Sequence, residues 1–388
     1  MKISVRIVQI LVGILFIVSG LVKANDPLGL SYKMQEFFEL WNSSLAAGHF
    51  FARQPLIALF DFLHDHSLFL SVVMITLEVI TGIALLLGWR KKFILWLLLV
   101  LIVFFSFLTG YAYLSGKFTN CGCFGDCLPI TPLTSFTKDI VLLVGIIWLL
   151  IGHRYIQPVL PRRVTLAVLL VGLALSVLVQ VYVLNYLPLV DCLPFRKGNN
   201  IAEQMKPPPG SVPDSIAILF IYEKGGKRFE FTQDQLPADF DTYTYVDRVD
   251  RLVRKGNAEP RIKGFSLTDT AGIDMTQPVL TEPHAYLFFA LDLHNGNSWL
   301  PAFKSLATQA AAKAVPVYLA TAQPAEAMAA FTRAGISAPV FACDFTVIRT
   351  AARTNPVLYE LHSGTVVQKW GVHDLNKAAA SLNNQTKK

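Results

Sequence analysis

FILWLLLVLIVFFSFLTGYAYL, residues 93–114, carries no charged side chain from end to end. A helix needs about 20 apolar residues to cross a bilayer, so this stretch decides that the chain contains a membrane span. Residues 5–22, 68–89, 136–152 and 164–187 form four further apolar runs, all before residue 190. The composition agrees, with 53% hydrophobic and only 16% charged residues and a mean hydropathy of +0.46. The expected architecture has two kinds of domain. A transmembrane bundle of about five helices in contact with membrane lipid comes first, and an α/β domain follows.

Lysine and arginine in short loops favour the cytoplasmic side. Lys2 and Arg6 start the first span, Arg90, Lys91 and Lys92 fill the second-to-third turn, and Arg154, Arg162 and Arg163 lie between the fourth and fifth. The three clusters alternate consistently with a cytoplasmic N-terminus in an inner membrane. Residues 23–67, 115–135 and everything after 188 are then expected in the periplasm. The net charge of +7 follows from this topology, and no interleaving of basic and aromatic residues points to nucleic acid.

NCGCFGDC, residues 120–127, holds three of the five cysteines. Cys192 leaves the fifth span on the same expected side, where thiols usually pair. A metal site is disfavoured. Zinc sites usually combine two closely spaced half-sites, and no histidine lies between His66 and His153. Four thiolates from Cys121, Cys123, Cys127 and Cys192 are its one route, and no metal is expected. Two readings stay open. Four cysteines in an oxidising space need be no more than structural bridges. Closely spaced cysteines beside glycines also form strained or exposed disulfides, the labile kind, and a loop beside the bilayer has access to a quinone.

Three segments carry a family resemblance: RIVQILVGILFIVSGLVKANDPLG (6–29), LEVITGIALLLGW (77–89) and CGCFGDCLPITPLTSFTKDIVLLV (121–144). Together they resemble the DoxX-like and MauE-like bacterial membrane family over roughly residues 1–155. The matching positions are Ser19, Gly20, Lys23, Glu78, Gly82, Cys121, Gly122, Cys123, Phe124, Gly125, Lys138 and Asp139. The resemblance implies a four-helix core with a general plan like that of vitamin K epoxide reductase-type disulfide oxidants. It also implies methylamine dehydrogenase maturation or quinone-linked thiol chemistry. Cys127 departs from the usual pattern, as a resolving thiol or as the partner of Cys192. Residues 1–24 also have the basic start and small-residue end of a signal peptide. Because the family pattern runs across residue 24, the first span is read as retained.

Glu78 lies inside the second span, where a carboxylate is costly and is a functional candidate by default. One reading is a packing contact to Lys23 or a backbone group; the other is proton handling beside a quinone or thiol. Gly82, one turn on, shares its face and permits close helix approach.

After residue 190 the character changes. KPPPGSVP (206–213) reads as a stiff linker, and SIAILFIYE and KRFEFT flank a Gly225–Gly226 turn as a hairpin. From KGFSLTD (263–269) onward, strands alternate with helices, which predicts an α/β sheet. The closing NPVLYELHSGTVVQKW (355–370) resembles the cis-proline segment of thioredoxin-like domains, with Pro356 in the cis position. A thioredoxin carries Cys-x-x-Cys after its YLFFALDL strand. This chain has HNGNSW (294–299) there, which argues for binding rather than dithiol chemistry. Cys343 reads as a buried strand residue, and His284, His294, His362 and His373 lack ligand spacing and read as surface residues. The NNQTKK tail is expected to fray.

The expected domains are 1–155 (DoxX/MauE-like), 156–190 (fifth span), 191–258 (linker and β-rich subdomain) and 259–388 (thioredoxin-like). Two functions fit. One is a thiol–disulfide or quinone oxidoreductase that passes electrons from a periplasmic thiol-containing client through Cys121, Cys123, Cys127 and Cys192, with Glu78 beside them. The other is a non-enzymatic maturation scaffold with fixed bridges and a client-binding domain.

Overall fold

The computed structural model describes residues 1–47, 53–116, 125–127, 130–237, 239–254, 256–293 and 296–384. The helical part comprises α1 (Lys2–Ala24), α2 (Pro27–Ala47), α3 (Arg53–Asp65), α4 (Ser67–Leu86), α5 (Lys91–Ser115), α6 (Pro132–Ile151) and α7 (Arg162–Asn185). Among the described residues, α1, α4, α5, α6 and α7 are long and apolar enough to span a membrane. The protein is a multi-pass membrane protein. α5 shows why: it buries Leu95, Leu98 and Ile102 and exposes Trp96, Val100, Val103 and Phe107. A helix that is apolar all round has lipid for its outer solvent.

α1 and α4 approach closely through glycine. A Cβ at Gly82 would lie 2.8 Å from the Gly13 carbonyl oxygen, and one at Gly20 would lie 2.6 Å from the Val79 side chain. Small residues allow this contact, which carries the helix association where no hydrophobic effect operates between helices in lipid. α6 begins at Pro132, earlier than the apolar run suggests. Thr131 caps it by accepting from the Thr134 N–H at 3.3 Å, with Pro132 at the first helical position. Hydropathy marks the apolar body of a helix and misses such a polar first turn.

The sequence reading gave no structure to residues 23–67, yet α2 and α3 occupy most of them. Their aromatic residues explain the order. Trp41 packs 5.3 Å from Phe60 and 5.9 Å from Phe107 between ring centroids, so α2 and α3 rest against α5 while their polar faces stay outward.

The α/β part contains α8 (Ile201–Gln204), β1 (Ser215–Lys224), β2 (Lys227–Thr232), β3 (Thr244–Arg254), α9 (Thr276–Thr281), β4 (Ala285–Ala290), α10 (Gly296–Ala311), β5 (Val317–Thr321), α11 (Pro324–Ala334), β6 (Val340–Ala342), α12 (Phe345–Ala351), β7 (Val357–His362), β8 (Thr365–Gly371) and α13 (Leu375–Asn384). β1–β3 form an antiparallel sheet in the order β2-β1-β3. The second sheet has the order β6-β5-β4-β7-β8, with β4, β5 and β6 parallel and β7 and β8 antiparallel. Its central strand, AYLFFA, is buried on both faces. Phe289 joins Phe195 and Tyr359 on one side, and Phe288 joins Trp299 and Phe303 on the other. Truncating either phenylalanine to alanine costs about 3–5 kcal/mol.

One expected strand is absent. KGFSLTD contributes only isolated bridges from Thr268 to Asp274 and Ala342, because Asp269 turns the chain back through its bond to Ile273. The run ends before a ladder can extend.

Candidate functional site

The C-terminal end of α1 organises two adjoining regions. In the helical core, Lys23 Nζ donates to Glu78 Oε1, and both side chains are nearly sealed, at 3% and 2% exposure. The ammonium also lies 4.4 Å from the Phe105 ring centroid. Glu78 Oε2 has no hydrogen-bond partner among the described residues. Across the same core, buried Asp139 accepts from the Thr109 hydroxyl at 3.0 Å, and Lys138 Nζ stands 2.6 Å from its other oxygen. Both ion pairs line a cavity of about 20 Å³ between α1, α4, α5 and α6. A water occupies roughly 10–15 Å³ by this measure, so the cavity suits a water.

Two residues beyond Lys23, Asn25 clamps the chain that leaves α7. Its Nδ2 donates to the Val190 carbonyl at 2.8 Å, and its Oδ1 accepts from the Val190 N–H at 2.9 Å. That clamp sets Cys192 against the turn Gly125–Cys127, where Cys127 and Cys192 form a disulfide with Cα atoms 4.8 Å apart. Asn25 Nδ2 lies 4.0 Å from the Cys127 sulfur. Asp191, next to the bridge, pairs with buried Lys369 of β8 at 2.8 Å. Burial lowers the Lys369 pKa, partly offset by the Asp191 carboxylate.

The bridge lines a cleft of about 890 Å³ between the helices and the α/β part. Tyr32, Arg196, Arg261 and Arg349 share its wall. The Arg349 guanidinium lies 4.0 Å from the Tyr32 ring, and burial raises the Tyr32 pKa against the pull of Arg353 and Arg349. Arg353 reaches Asp26, just after α1, at 2.8 Å. Beyond it the Asn355–Pro356 peptide is cis, and Asn355 Oδ1 accepts from the Leu291 N–H at 2.9 Å where β4 ends.

The structure thus joins Cys127 to Cys192 and Glu78 to Lys23, and sets Gly82 against Gly13. Cys121, Gly122, Cys123 and Phe124 lie outside the described residues, as do His294, Asn295 and residues 385–388. The four-thiolate metal route is corrected, because Cys127 and Cys192 are consumed by their own bond. Cys343 is buried and free, with its thiol pushed up to about 12 by burial and the Asp344 charge. Sequence reasoning missed Asn25, Asp26 and Arg353. The Asn-Asp pair directly after a helix end was the available signal for the first two. It also treated His284 and His362 as unrelated surface residues; they meet at buried Glu360, and His284 is half-buried.

A domain of unknown function, DUF8463, matches residues 216–255, which coincide with the three-stranded sheet. Protein TlpB of Flavobacterium psychrophilum is 28% identical over 148 residues, or 37% of this chain and 35% of that protein. The match therefore spans about a third of the relative's length. No solved structure matches the chain. The family of methylamine utilisation protein MauE matches residues 1–152, the segment that supplies α1 to α6, Lys23, Glu78, Asp139 and Cys127.

Proposed function

We propose that this membrane protein exchanges disulfides with a periplasmic thiol-containing client at the Cys127–Cys192 bridge. The observation that carries this reading is the place of the bridge, half-buried in the wall of a wide cleft rather than sealed in a core. A client thiolate attacks one bridge sulfur and forms a mixed disulfide; a second client thiol then releases it. Two electrons pass from the client dithiol to the bridge, which becomes a dithiol. Arg196, Arg261 and Arg349 in the same wall favour thiolate forms there. A second disulfide must reoxidise the pair, and Cys121 and Cys123 are the residues offered by the sequence. The Cys121–Cys123 dithiol left by that exchange passes the two electrons to an external oxidant, for which the family resemblance implies a quinone. The Lys23–Glu78 pair ties α1 to α4, and the Thr109–Asp139 bond ties α5 to α6, beneath the loop. In this reading the protein sits in an inner membrane with its N-terminus cytoplasmic. Residues 1–155 and 156–190 form the membrane unit, 191–258 a linker and small sheet, and 259–388 a thioredoxin-like client-binding domain without a Cys-x-x-Cys pair.

The second reading is a scaffold. It is favoured by the way the bridge staples the α5–α6 connection to the chain leaving α7, beside the Arg353–Asp26 and Lys369–Asp191 pairs. One experiment separates the two. The purified full chain is titrated in glutathione buffers, and cysteine states are read by alkylation and mass spectrometry. Exchange at a potential above about −300 mV, with mixed disulfides accumulating in Cys192→Ser, supports the relay. A bridge that stays oxidised and inert, with no adducts in the variant, leaves the scaffold.

A further inference from the structure

His284 and His362 are far apart in sequence and adjacent across a strand pair. β4 and β7 run antiparallel with Ala285 opposite Leu361 and Tyr286 opposite Glu360, so the register places His284 opposite His362. Side chains alternate along strands, which puts His284, Glu360 and His362 on one face. The contacts agree. His284 Nε2 lies 3.3 Å from Glu360 Oε1, His362 Nε2 lies 3.6 Å from the same oxygen, and one ligand atom from each residue lies within 4.8 Å of the others.

These spacings have a chemical meaning. With zinc–ligand bonds of about 2.0–2.2 Å, two ligands of a tetrahedral ion stand about 3.3–3.6 Å apart. Both histidine-to-carboxylate spacings fall in that range before any adjustment. The Glu360 side chain is only 1% exposed, and a buried carboxylate requires cationic or hydrogen-bonded compensation. His284 Nε2 is buried without an aligned hydrogen bond among the described residues. His362 is 45% exposed and opens the third side to solvent. Two imidazoles and a carboxylate with an open fourth position form a donor set suited to zinc.

We propose that His284, Glu360 and His362 bind one divalent transition-metal ion of the zinc class, with water in the fourth position. None of these three residues lines the cleft that holds the Cys127–Cys192 bridge. The proposal does not depend on the function proposed for that bridge. Bound metal joins the start of β4 to the end of β7 and stabilises the folded sheet by mass action.

The test uses the full chain in detergent, tag removed, stripped with chelator and dialysed. Wild type is expected to take up one zinc per chain by calorimetry and elemental analysis, and to show the intense visible absorption of tetrahedral cobalt with Co²⁺. His362→Ala removes an exposed ligand with little risk to folding. It is expected to weaken zinc binding at least about tenfold, the smallest loss usual even for outer-shell partners. The Cys127–Cys192 bridge and the circular dichroism should be unchanged. His284→Ala is expected to do the same. Absence of stoichiometric zinc in wild type, or equal binding in wild type and both histidine variants, overturns the proposal.

Discussion

Arg353 Nε donates to Asp26 Oδ2 at 2.8 Å, joining the end of the first membrane helix to the loop before Pro356. The two side chains are 5% and 10% exposed, and Asp26 also accepts from the Gly29 N–H at 3.0 Å. Removing one partner of a buried pair strands the other charge and costs about 3–5 kcal/mol. Arg353→Ala is therefore expected to loosen the α/β part from the helices before either unfolds. Limited proteolysis should show new cleavage between residues 186 and 200 in the variant, and an unchanged digestion pattern would contradict a docking role.

The Lys23–Glu78 pair is sealed between α1 and α4, where removing one partner of a buried pair strands the other charge and costs about 3–5 kcal/mol. Glu78→Gln leaves Lys23 with a weaker partner and is expected to lower the melting temperature of the full chain in detergent. Lys23→Met combined with Glu78→Leu removes both charges and should recover most of the loss, since apolar replacement of a buried pair is often neutral or better. Equal damage from the single and double variants would instead assign the pair a role beyond charge compensation.

Cys343 supplies a pH-dependent expectation. Burial holds its folded pKa near 12, above its ordinary value of 9.0. The folded state thus prefers the neutral thiol. This stabilising contribution is complete below pH 9 and is lost as pH rises towards 12. At pH 8 the folded protein should resist iodoacetamide at Cys343 and react promptly in denaturant. Cys343→Ala should flatten the alkaline limb of the stability curve.

Topology gives a further check. The alternating basic clusters at Lys2, Arg90 and Arg162 predict that Cys127 and Cys192 lie outside the cytoplasm. After mild reduction, a membrane-impermeant maleimide should label both in intact spheroplasts. Labelling only after lysis would reverse the orientation and put the bridge on the cytoplasmic side.

Much of the fold was legible because the decisive signals were long or locally periodic. The five spans announce themselves by apolar length, and HAYLFFALDL reads as a strand; its central, fully buried place comes from the sheet order. α2 and α3 were not legible, because their order comes from Phe38, Trp41 and Phe60 packing together with Phe107, a contact between distant segments. β3 was missed for the opposite reason. Its TYVDRVDRLVR is exposed throughout, so no buried face marks it, and its pairing with β1 supplies the structure. For the site, chemistry outran geometry. Glu78 and the cysteines stood out as residue types, whereas the pairing of Cys127 with Cys192 and the meeting of His284 with His362 depend on helix packing and strand register.

The segment that follows Cys192 has a further consequence for how copies of this protein meet. Gly198 donates to the Val366 carbonyl, Val366 donates back to Asn199, and Asn200 bridges Thr365. The far edge is treated alike, with Thr268 and Ala342 exchanging both bonds beside β6. An open sheet edge is a template for strand addition and polymerisation. Here the Thr365–Val366 end of β8 and Ala342 of β6 are already engaged by their own chain, which shortens the stretch of either margin on which crowded neighbours at a membrane surface could seed an intermolecular ladder.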